Sequence, residues 1–379
     1  MIYYVSKEPL ECKKDVKIVQ GVTHEITSCT VAESLALAED LPNLICVDTE
    51  DTGLSCVEDK IIMLQFGTPE VIIIVDARDY DINIYKHVLE SRTCLGVNIA
   101  FDYNMLKRYD ILLTTVIELM IVQKLIDGGE YDGAYKNSFK QQNGCGFYSM
   151  AGLTFRNLAI PLDKETTLTF LHVGDRPFSL THVRYGAQDI VIPFMLYKVL
   201  LPKLNKNTTQ ELIDLENTDW LALADISYFG MPMCKGDWLN LDADFKAEEQ
   251  KHLEGLDKEA AGLPRLPWEF KSMFGGVTIN WNSSPQLLKL FNKGLGIFPK
   301  DKEGKPATGK SIIEKFALKH PIISKLIKYK GIKKQRSTYG IKFLDAHLDI
   351  DRRVRTSFDP IVATGRVSSF KPKIRLGIT

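Results

Sequence analysis

Residues 44–54 carry the clearest structural signal of the sequence: Leu44-Ile-Cys-Val-Asp48-Thr49-Glu50-Asp-Thr-Gly53-Leu54. The apolar, β-rich first half predicts a buried strand that ends in acids. Side chains alternate along a strand, so Asp48 and Glu50 share one face and Thr49 lies on the other. Two carboxylates on one face predict a bound cation. Asp and Glu also favour turns, so this stretch alone leaves a turn before Gly53 equally open.

Outward from this strand, the pattern predicts a mixed α/β sheet. Short apolar runs separated by polar turns suit neighbouring strands, and helical periodicity follows them. A stretch rich in Gly, Asn, Gln and Tyr, residues 127–146, is typical of a surface excursion. The predicted strands cover 44–47, 61–66, 71–75 and 94–97, and the predicted helices cover 103–108, 117–126, 151–158 and 181–201.

Beyond about residue 205 the strand signals nearly vanish, and the sequence predicts an elongated all-α domain. Ser284-Pro285 is typical of a helix start, with proline at the first helical position. The predicted helices cover 209–229, 238–263, a segment from 284, 311–319 and 321–331.

The formal charge balance, 48 basic against 48 acidic residues, hides an asymmetry along the chain. Residues 301–379 hold 19 Lys and Arg against 7 Asp and Glu, a surplus of 12. A basic end joined to an acidic body favours a polyanion-binding segment beside a site that concentrates carboxylates. A solvated, lysine-rich helical face is the alternative reading of the same charge.

Composition excludes several classes of protein. Hydrophobic residues make up 45% and charged residues 25%, which is typical of globular domains and excludes collagen-like and wholly disordered chains. The seven cysteines are scattered and never spaced C-x-x-C, so neither a disulfide framework nor a zinc site is indicated. No run approaches the ~18 to 20 apolar residues of a membrane span, and we expect no membrane and a location in the cytoplasm.

Further acids strengthen the case for a cation site. Asp102 follows the predicted strand that ends near Val97. Asp189 lies in a predicted helix, four residues after Tyr185. Residues four apart share a helical face, so Tyr185 and Asp189 lie one turn from each other.

Taken together, these residues resemble the DEDD superfamily of 3′–5′ exonucleases, in the subgroup whose third motif is Tyr-x-x-x-Asp. The resemblance covers roughly residues 40–200. Its motifs are Val47-Asp48-Thr49-Glu50 with Gly53-Leu54, then Asn98-Ile-Ala-Phe-Asp102, then Tyr185-Gly-Ala-Gln-Asp189. Three motifs in order are specific where each alone is weak. The implied fold is a ribonuclease H-like mixed sheet.

The resemblance implies a two-metal phosphodiester hydrolase. Two Mg²⁺ or Mn²⁺ ions about 3.5 to 4 Å apart clamp the attacking and leaving oxygens in such sites. By resemblance Asp48 bridges both ions, Glu50 and Asp189 complete the first site, and Asp102 serves the second. Tyr185 then orients the attacking water. Two further matches concern the substrate: Leu54 packs against the terminal base, and Asn98 contacts the substrate strand.

The second half resembles the thumb and the edge of the palm of family A DNA polymerases, of the bacteriophage replicative and bacterial DNA polymerase I types. The landmarks are Thr278-Ile-Asn-Trp-Asn-Ser-Ser-Pro285, His320-Pro321, Gln335-Arg336-Ser-Thr-Tyr339, Arg355-Thr-Ser-Phe358 and Ala363-Thr-Gly-Arg366-Val-Ser-Ser369. A lysine-rich thumb grips duplex DNA through phosphates. The resemblance implies that Arg336 and Arg366 contact DNA, with Arg366 in the minor groove of the primer strand.

The resemblance divides the chain into an exonuclease domain at 1–205, a thumb region at 206–350 and the start of a palm at 351–379. The three polymerase motifs of the palm and fingers are missing from the sequence, so we expect no DNA synthesis by this chain alone. The palm and fingers are then expected on a separate polypeptide, as in a split or interrupted replicative polymerase.

The function expected from the sequence is therefore a metal-dependent, proofreading 3′–5′ exonuclease that takes a single-stranded 3′ end and binds duplex DNA at the thumb. If the gene belongs to a bacteriophage, the host cytoplasm is the expected location. Two alternatives stay open. One is a module with a vestigial exonuclease fold that binds DNA or a partner subunit, and the other is a stand-alone RNA-processing exonuclease.

Overall fold

The computed structural model describes residues 1–162, 169–170, 172–204, 210–273, 276–362, 364–370 and 372. Ala363 of the last landmark and residues 373–379 of the predicted palm segment lie outside them. The chain divides into two compact units, Met1–Met231 with Arg355–Thr379, and Pro232–Val354. Among the residues described, no helix is both long and apolar enough to cross a membrane.

The first unit is built on an eight-stranded mixed sheet in the order β2-β3-β1-β6-β5-β4-β7-β8. Strand β5 runs antiparallel to both of its neighbours, β4 and β6, while β4, β7 and β8 are parallel. The strands are β1 Ile2–Val5, β2 Lys13–Val19, β3 Val22–Ser28, β4 Leu44–Asp51, β5 Ile61–Gly67, β6 Ile72–Asp76, β7 Thr93–Gly96 and β8 Thr115–Glu118.

Both faces of the central sheet are buried, which explains its continuous apolar runs. In β6, Ile73 and Val75 pack into one hydrophobic cluster, while Ile72 and Ile74 pack into another. The covering helices are α1 Val31–Glu39, α2 Lys86–Ser91, α3 Ile99–Lys107, α4 Leu119–Asp127, α5 Gly133–Asn143, α6 Met150–Leu158, α7 Leu180–Leu200 and α8 Gln210–Phe229.

The second unit is helical, with its own core around Trp281, Leu287 and Phe291. Two long helices, α9 Lys235–Ala261 and α12 Pro321–Tyr339, run antiparallel, because Lys325 pairs with Glu259 while Arg336, eleven residues later, pairs with Glu249. The shorter helices are α10 Ser284–Lys289, α11 Lys310–Ile313 and α13 Ile341–His347. Short strands lie at β9 Met231–Pro232, β10 Arg353–Val354, β11 Ser357–Asp359 and β12 Ser368–Phe370.

The predicted mixed α/β sheet followed by a helical part is confirmed, with local differences. Residues 133–143 form a helix capped by Asp132, without buried residues, inside the stretch 127–146 that the sequence predicted to be a surface excursion. Strand β8 precedes the helix predicted to begin at 117, and α12 continues through Gly331 to Tyr339. Helix α8 and residues from Arg355 belong to the compact unit of the sheet. The predicted functional boundaries at 205 and 350 stay predictions.

Candidate active site

The site lies at the C-terminal end of β4, which extends beyond the neighbouring strand β7. Strand β7 pairs only with residues 44–46 of β4, so the acidic end of β4 extends beyond it. On the other side, Asp48 lies opposite Gln65 of β5, whose amide donates a 2.6 Å hydrogen bond to Asp48 Oδ2. Gln65 is fully buried in an otherwise apolar strand, and its side-chain amide N–H is directed at the site. In the sequence, Gln65 could have been recognised because it is the single polar residue in an apolar strand.

Helix α7 carries Tyr185 and Asp189 against the sheet. Gly186 makes this close approach possible, because a Cβ atom there would lie 3.2 Å from Met63 Sδ of β5. Four residues after Asp189, Pro193 lies within the helix and has no N–H for the carbonyl of Asp189. The thiol of Cys46 in β4 instead donates to that carbonyl across 3.6 Å. The strand and the helix are therefore joined directly beside the acids.

Three acids converge where β4 and α7 meet. Carboxylate oxygens of Asp48, Glu50 and Asp189 all lie within 4.8 Å of one another. Glu50 and Asp189 are buried, and Oδ1 of Asp189 has no hydrogen-bond partner in the described part of the chain. Burial of several carboxylates this close together is costly, and a cation bound between them would offset that cost.

The electrostatics of the cluster agree with that conclusion. Burial, and then the charge of Asp189, raises the pKa of Asp48 well above its usual range. Burial, and then Asp48 and Asp189, raises the pKa of Glu50 in the same way. Burial also raises the pKa of Asp189, while a hydrogen bond from Tyr185 opposes the rise. An all-oxygen, anionic donor set of this kind fits a hard divalent cation such as Mg²⁺ or Mn²⁺.

Asp102 reaches the cluster from α3. It lies in the first turn of that helix, which begins at Ile99, whereas the sequence predicted the helix to begin at Tyr103, just after Asp102. Its Oδ1 accepts the backbone N–H of Thr49 at 2.9 Å and the Thr49 hydroxyl at 3.0 Å, so it lies against the strand segment between Asp48 and Glu50. Burial, and then the charges of Asp48 and Asp51, raises the pKa of Asp102 well above its usual range.

The turn before α3 was only partly visible in the sequence. Asn98 is exposed and adopts a left-handed conformation with φ 65°, which asparagine tolerates better than most residues. The N–H groups of Asn98 and Ile99 both donate to Glu118, a fully buried residue that the sequence analysis did not single out. Glu118 carries no motif signal, because its partners are about twenty residues away along the chain.

The remaining predicted substrate contacts lie in different settings. Leu54 is 87% exposed, on the loop that follows β4. Arg366 is exposed as well. Arg336, in contrast, pairs with Glu249 at 2.9 Å and Asp242 at 3.5 Å, so acids of its own helical unit occupy its guanidinium. The roles assigned to these residues stay predictions.

Comparison with known proteins agrees with the site. The 3′-5′ exonuclease family matches residues 20–205, and DNA polymerase family A matches residues 250–376. The chain belongs to DNA polymerase family A. The family A chain is 27% identical to DNA polymerase I of Treponema pallidum over 294 residues, which is 76% of the chain and 26% of that protein. It is 24% identical to DNA polymerase I of Borreliella burgdorferi over 370 residues, which is 94% of the chain and 37% of that protein.

This family A chain thus spans between about a quarter and just over a third of the length of these two relatives. Among solved structures, it resembles the POL domain of Pol1 from M. smegmatis in complex with DNA primer-template and dNTP, with a TM-score of 0.63 and 16% identity. That match covers 91% of the chain and 54% of the other. At this identity the likeness concerns the fold. The family match shows a nuclease-type hydrolase domain with an acidic cluster.

Proposed function

We propose that this chain is a metal-dependent 3′–5′ exonuclease that hydrolyses the terminal phosphodiester of a DNA strand. One observation carries the proposal: oxygens of Asp48, Glu50 and Asp189 lie within 4.8 Å of one another, and Oδ1 of Asp189 lacks a partner among the described residues. The match of residues 20–205 to the 3′-5′ exonuclease family supports the same reaction.

Four acids of this chain would hold two divalent cations. Asp48, Glu50 and Asp189 form the set for the first, and Asp102 serves the second together with Asp48. When bound, such ions supply charge that activates water and stabilises the leaving oxygen. The protein's own task is to keep these four carboxylates, three of them buried, near one another despite their mutual repulsion, and Gln65 and Thr49 contribute by donating to Asp48 and Asp102.

Tyr185 and Leu54 have separate tasks in this proposal. Tyr185 is half-buried one helical turn before Asp189 and hydrogen-bonded to it, which supports a role for its hydroxyl in orienting the attacking water. Leu54 projects into solvent close to the acidic end of β4, where an apolar side chain can pack against the last base. Asn98 and Arg366, both exposed, are proposed to contact the strand and the duplex.

The test compares Asp48→Ala with an exposed acid on α9, Asp244→Ala. Each purified protein is incubated with 5′-labelled single-stranded DNA, duplex DNA and RNA, with Mg²⁺, with Mn²⁺ or with EDTA. We expect shortening of DNA from its 3′ end by the wild type and by Asp244→Ala, and at least a thousandfold slower shortening by Asp48→Ala. Equal rates for Asp48→Ala and the wild type in Mn²⁺ contradict the proposal, and a preference for RNA assigns a different substrate.

Proofreading places the same reaction beside a polymerase. The match of residues 250–376 to DNA polymerase family A supports duplex DNA as the second ligand of the chain. A separate polypeptide with palm and fingers, a bacteriophage origin and a location in the cytoplasm stay predictions. Co-purification of the tagged chain with a polymerase subunit from its source cells tests the first of them.

A further inference from the structure

Glu118, at the junction of β8 and α4, is a fully buried acid whose carboxylate oxygens each accept two hydrogen bonds. Oε1 accepts the N–H groups of Asn98 and Met120, both at 2.9 Å. Oε2 accepts the N–H of Ile99 at 2.8 Å and the indole N–H of Trp220 at 3.2 Å. Four donors satisfy the buried charge, and they come from three different helices.

Two of these donors define the start of α3. Asn98 has a left-handed backbone, and Ile99 begins the helix. Their adjacent N–H groups point at the same carboxylate, which fixes the direction in which α3 leaves the turn. Asp102 follows within the first helical turn, so its position against Thr49 depends on that direction.

Asp102 lies among other acids, and its own hydrogen bonds come from Thr49. It is 5% exposed, and the charges of Asp48 and Asp51 act against it. The two bonds from Thr49 offset part of this repulsion. The Asn98–Ile99 turn, bound to Glu118, anchors the start of α3 from outside the acidic cluster.

Helix α8 completes the anchor. Trp220 donates to Glu118 Oε2, and the side-chain carbonyl of Asn217, one turn earlier, accepts the backbone N–H of Glu118 at 2.8 Å. Both residues are buried in the compact unit of the sheet. Sequence reasoning assigned α8 to the thumb, yet in the structure its apolar face closes over the residue that starts α3.

We propose that Glu118 is a positioning residue of the nuclease site, and that α8, through Trp220 and Asn217, holds it so that Asp102 can serve the second cation. This inference rests on the proposed exonuclease function. It makes α8 part of the nuclease and gives this helix, which leads to the second unit, a direct influence on one metal ligand.

The experiment compares Trp220→Phe with Trp281→Phe. Each change removes one indole N–H from a carboxylate, because Trp281 donates to Asp257 at 2.8 Å in the other compact unit. Three quantities are measured: amide hydrogen exchange of a peptide containing Asn98 and Ile99, Mn²⁺ binding by calorimetry without DNA, and the Mn²⁺ dependence of cleavage of a short single strand.

For Trp220→Phe we expect faster exchange at the Asn98–Ile99 turn and about a tenfold higher Mn²⁺ concentration at half-maximal rate, as is typical when a partner of a metal ligand is lost. The rate at saturating Mn²⁺ should stay within about twofold of the wild type, because the ligands themselves are intact. The calorimetric affinity of the weaker Mn²⁺ site should fall by a similar factor. Trp281→Phe should match the wild type in all three measurements.

Faster exchange with unchanged Mn²⁺ binding and an unchanged Mn²⁺ dependence would overturn the inference and leave Glu118 a structural residue only. A wild type that cleaves no DNA in any metal refutes the proposed function instead, and calorimetry then still decides the anchor. If Trp220→Phe does not fold, Asn217→Ala replaces it. This change removes the acceptor for the N–H of Glu118, together with a donor to the carbonyl of Ile213 within α8, and is expected to change the Mn²⁺ dependence in the same direction.

Discussion

At the scale of single residues, Cys46 and Pro193 show how the acidic cluster is held without further charges. Pro193 deprives the carbonyl of Asp189 of its helical hydrogen bond, and the Cys46 thiol is the donor that replaces it, at 3.6 Å. A buried carbonyl without a donor costs about 1 to 3 kcal/mol. The thiol therefore stabilises the junction of β4 and α7 although it has no part in the chemistry.

We expect Cys46→Val, which removes the donor with little change in volume, to lower the free energy of unfolding by about 1 kcal/mol. Cys46→Ser keeps a donor at the same place and should lose less. Urea unfolding in the presence of EDTA measures both variants without a contribution from bound metal. If the valine variant is as stable as the wild type, the contact with the Asp189 carbonyl contributes nothing to the fold.

Sequence spacing could place some of these residues but not others. Alternation along β4 put Asp48 and Glu50 on one face, and the spacing from Tyr185 to Asp189 put both on one face of a helix; oxygens of Asp48, Glu50 and Asp189 indeed lie together. The position of Asp102 could not be predicted from such spacing. Its carboxylate accepts hydrogen bonds from Thr49, and the Asn98–Ile99 turn before it donates to Glu118. These partners are distant along the chain, and no local periodicity records such contacts.

At the scale of elements, the start of α7 depends on His182. The helix begins with a capping box in which Ser179 accepts from the N–H of His182, and Nδ1 of His182 accepts the N–H of Ser179 at 3.0 Å. Only a neutral imidazole can accept in this way. Burial, and then the charges of Arg78 and Arg176, lowers the pKa of His182 below its ordinary value.

A histidine whose folded-state pKa is lowered stabilises the fold fully above its unfolded-state pKa, and this contribution is lost as the pH falls through the lower, folded-state value. We expect His182→Gln, which keeps a capping-box acceptor, to remove that loss. Between pH 7 and pH 5 the variant should lose less unfolding free energy than the wild type. Parallel pH dependences of unfolding for the two proteins would show that His182 does not titrate in this way.

The loop after β4, which carries Leu54, is held by hydrogen bonds to one acid, Asp59. Its Oδ1 accepts the Thr52 hydroxyl at 3.1 Å, and its Oδ2 accepts the N–H of Ser55 at 2.8 Å. Gly53 lies so close that a Cβ atom there would be 2.4 Å from Asp59 Oδ2. Leu54 is thus an exposed apolar side chain on an ordered loop, which is the arrangement expected of a residue that meets a nucleobase.

We expect Leu54→Ala to slow removal of a paired 3′ nucleotide from duplex DNA by about tenfold, since full burial of a leucine side chain stabilises by about 1.5 to 3 kcal/mol. Cleavage of a short single strand should change less than twofold, because no base pair has to open. Leu215→Ala, at an exposed leucine on α8, is the matched control. Equal slowing on both substrates would show that Leu54 does not help to open the terminal pair.

The sequence did not reveal the boundary between two elements where the apolar pattern of one continues into the apolar pattern of the next. Val116 and Ile117 belong to β8, but they run straight into the apolar stripe of α4, so helical periodicity predicted one helix from 117. Helix α8 looked like the first thumb helix because length and amphipathicity do not reveal a partner. Its buried Trp220 and Ala224 pack into the core of the sheet, which only the tertiary fold decides.

At the scale of the whole molecule, the basic surplus of residues 301–379 divides into paired and exposed charges. Along α12, Lys325 pairs with Glu259 of α9, and Lys333 lies 3.9 Å from Glu249. These lysine side chains therefore pair with acids of α9 and stabilise the contact between the two helices. Lys328 and Lys334 are exposed on the same helix and are the better candidates for phosphate contacts.

Duplex binding should therefore depend on the exposed lysines. Each phosphate contact contributes about 0.9 to the slope of log affinity against log salt, so Lys328→Gln with Lys334→Gln should reduce that slope by close to 2 and weaken binding to all sequences alike. Lys325→Gln removes the same charge from an internal pair and should leave the slope nearly unchanged. Fluorescence anisotropy of a labelled duplex from 50 to 200 mM NaCl, with Asp48→Ala as the background and EDTA present, measures binding without cleavage. If the double variant keeps the parental slope while Lys325→Gln lowers it, the paired face of α12 opens to bind DNA, and the charges that join the two helices are the ones that grip the duplex.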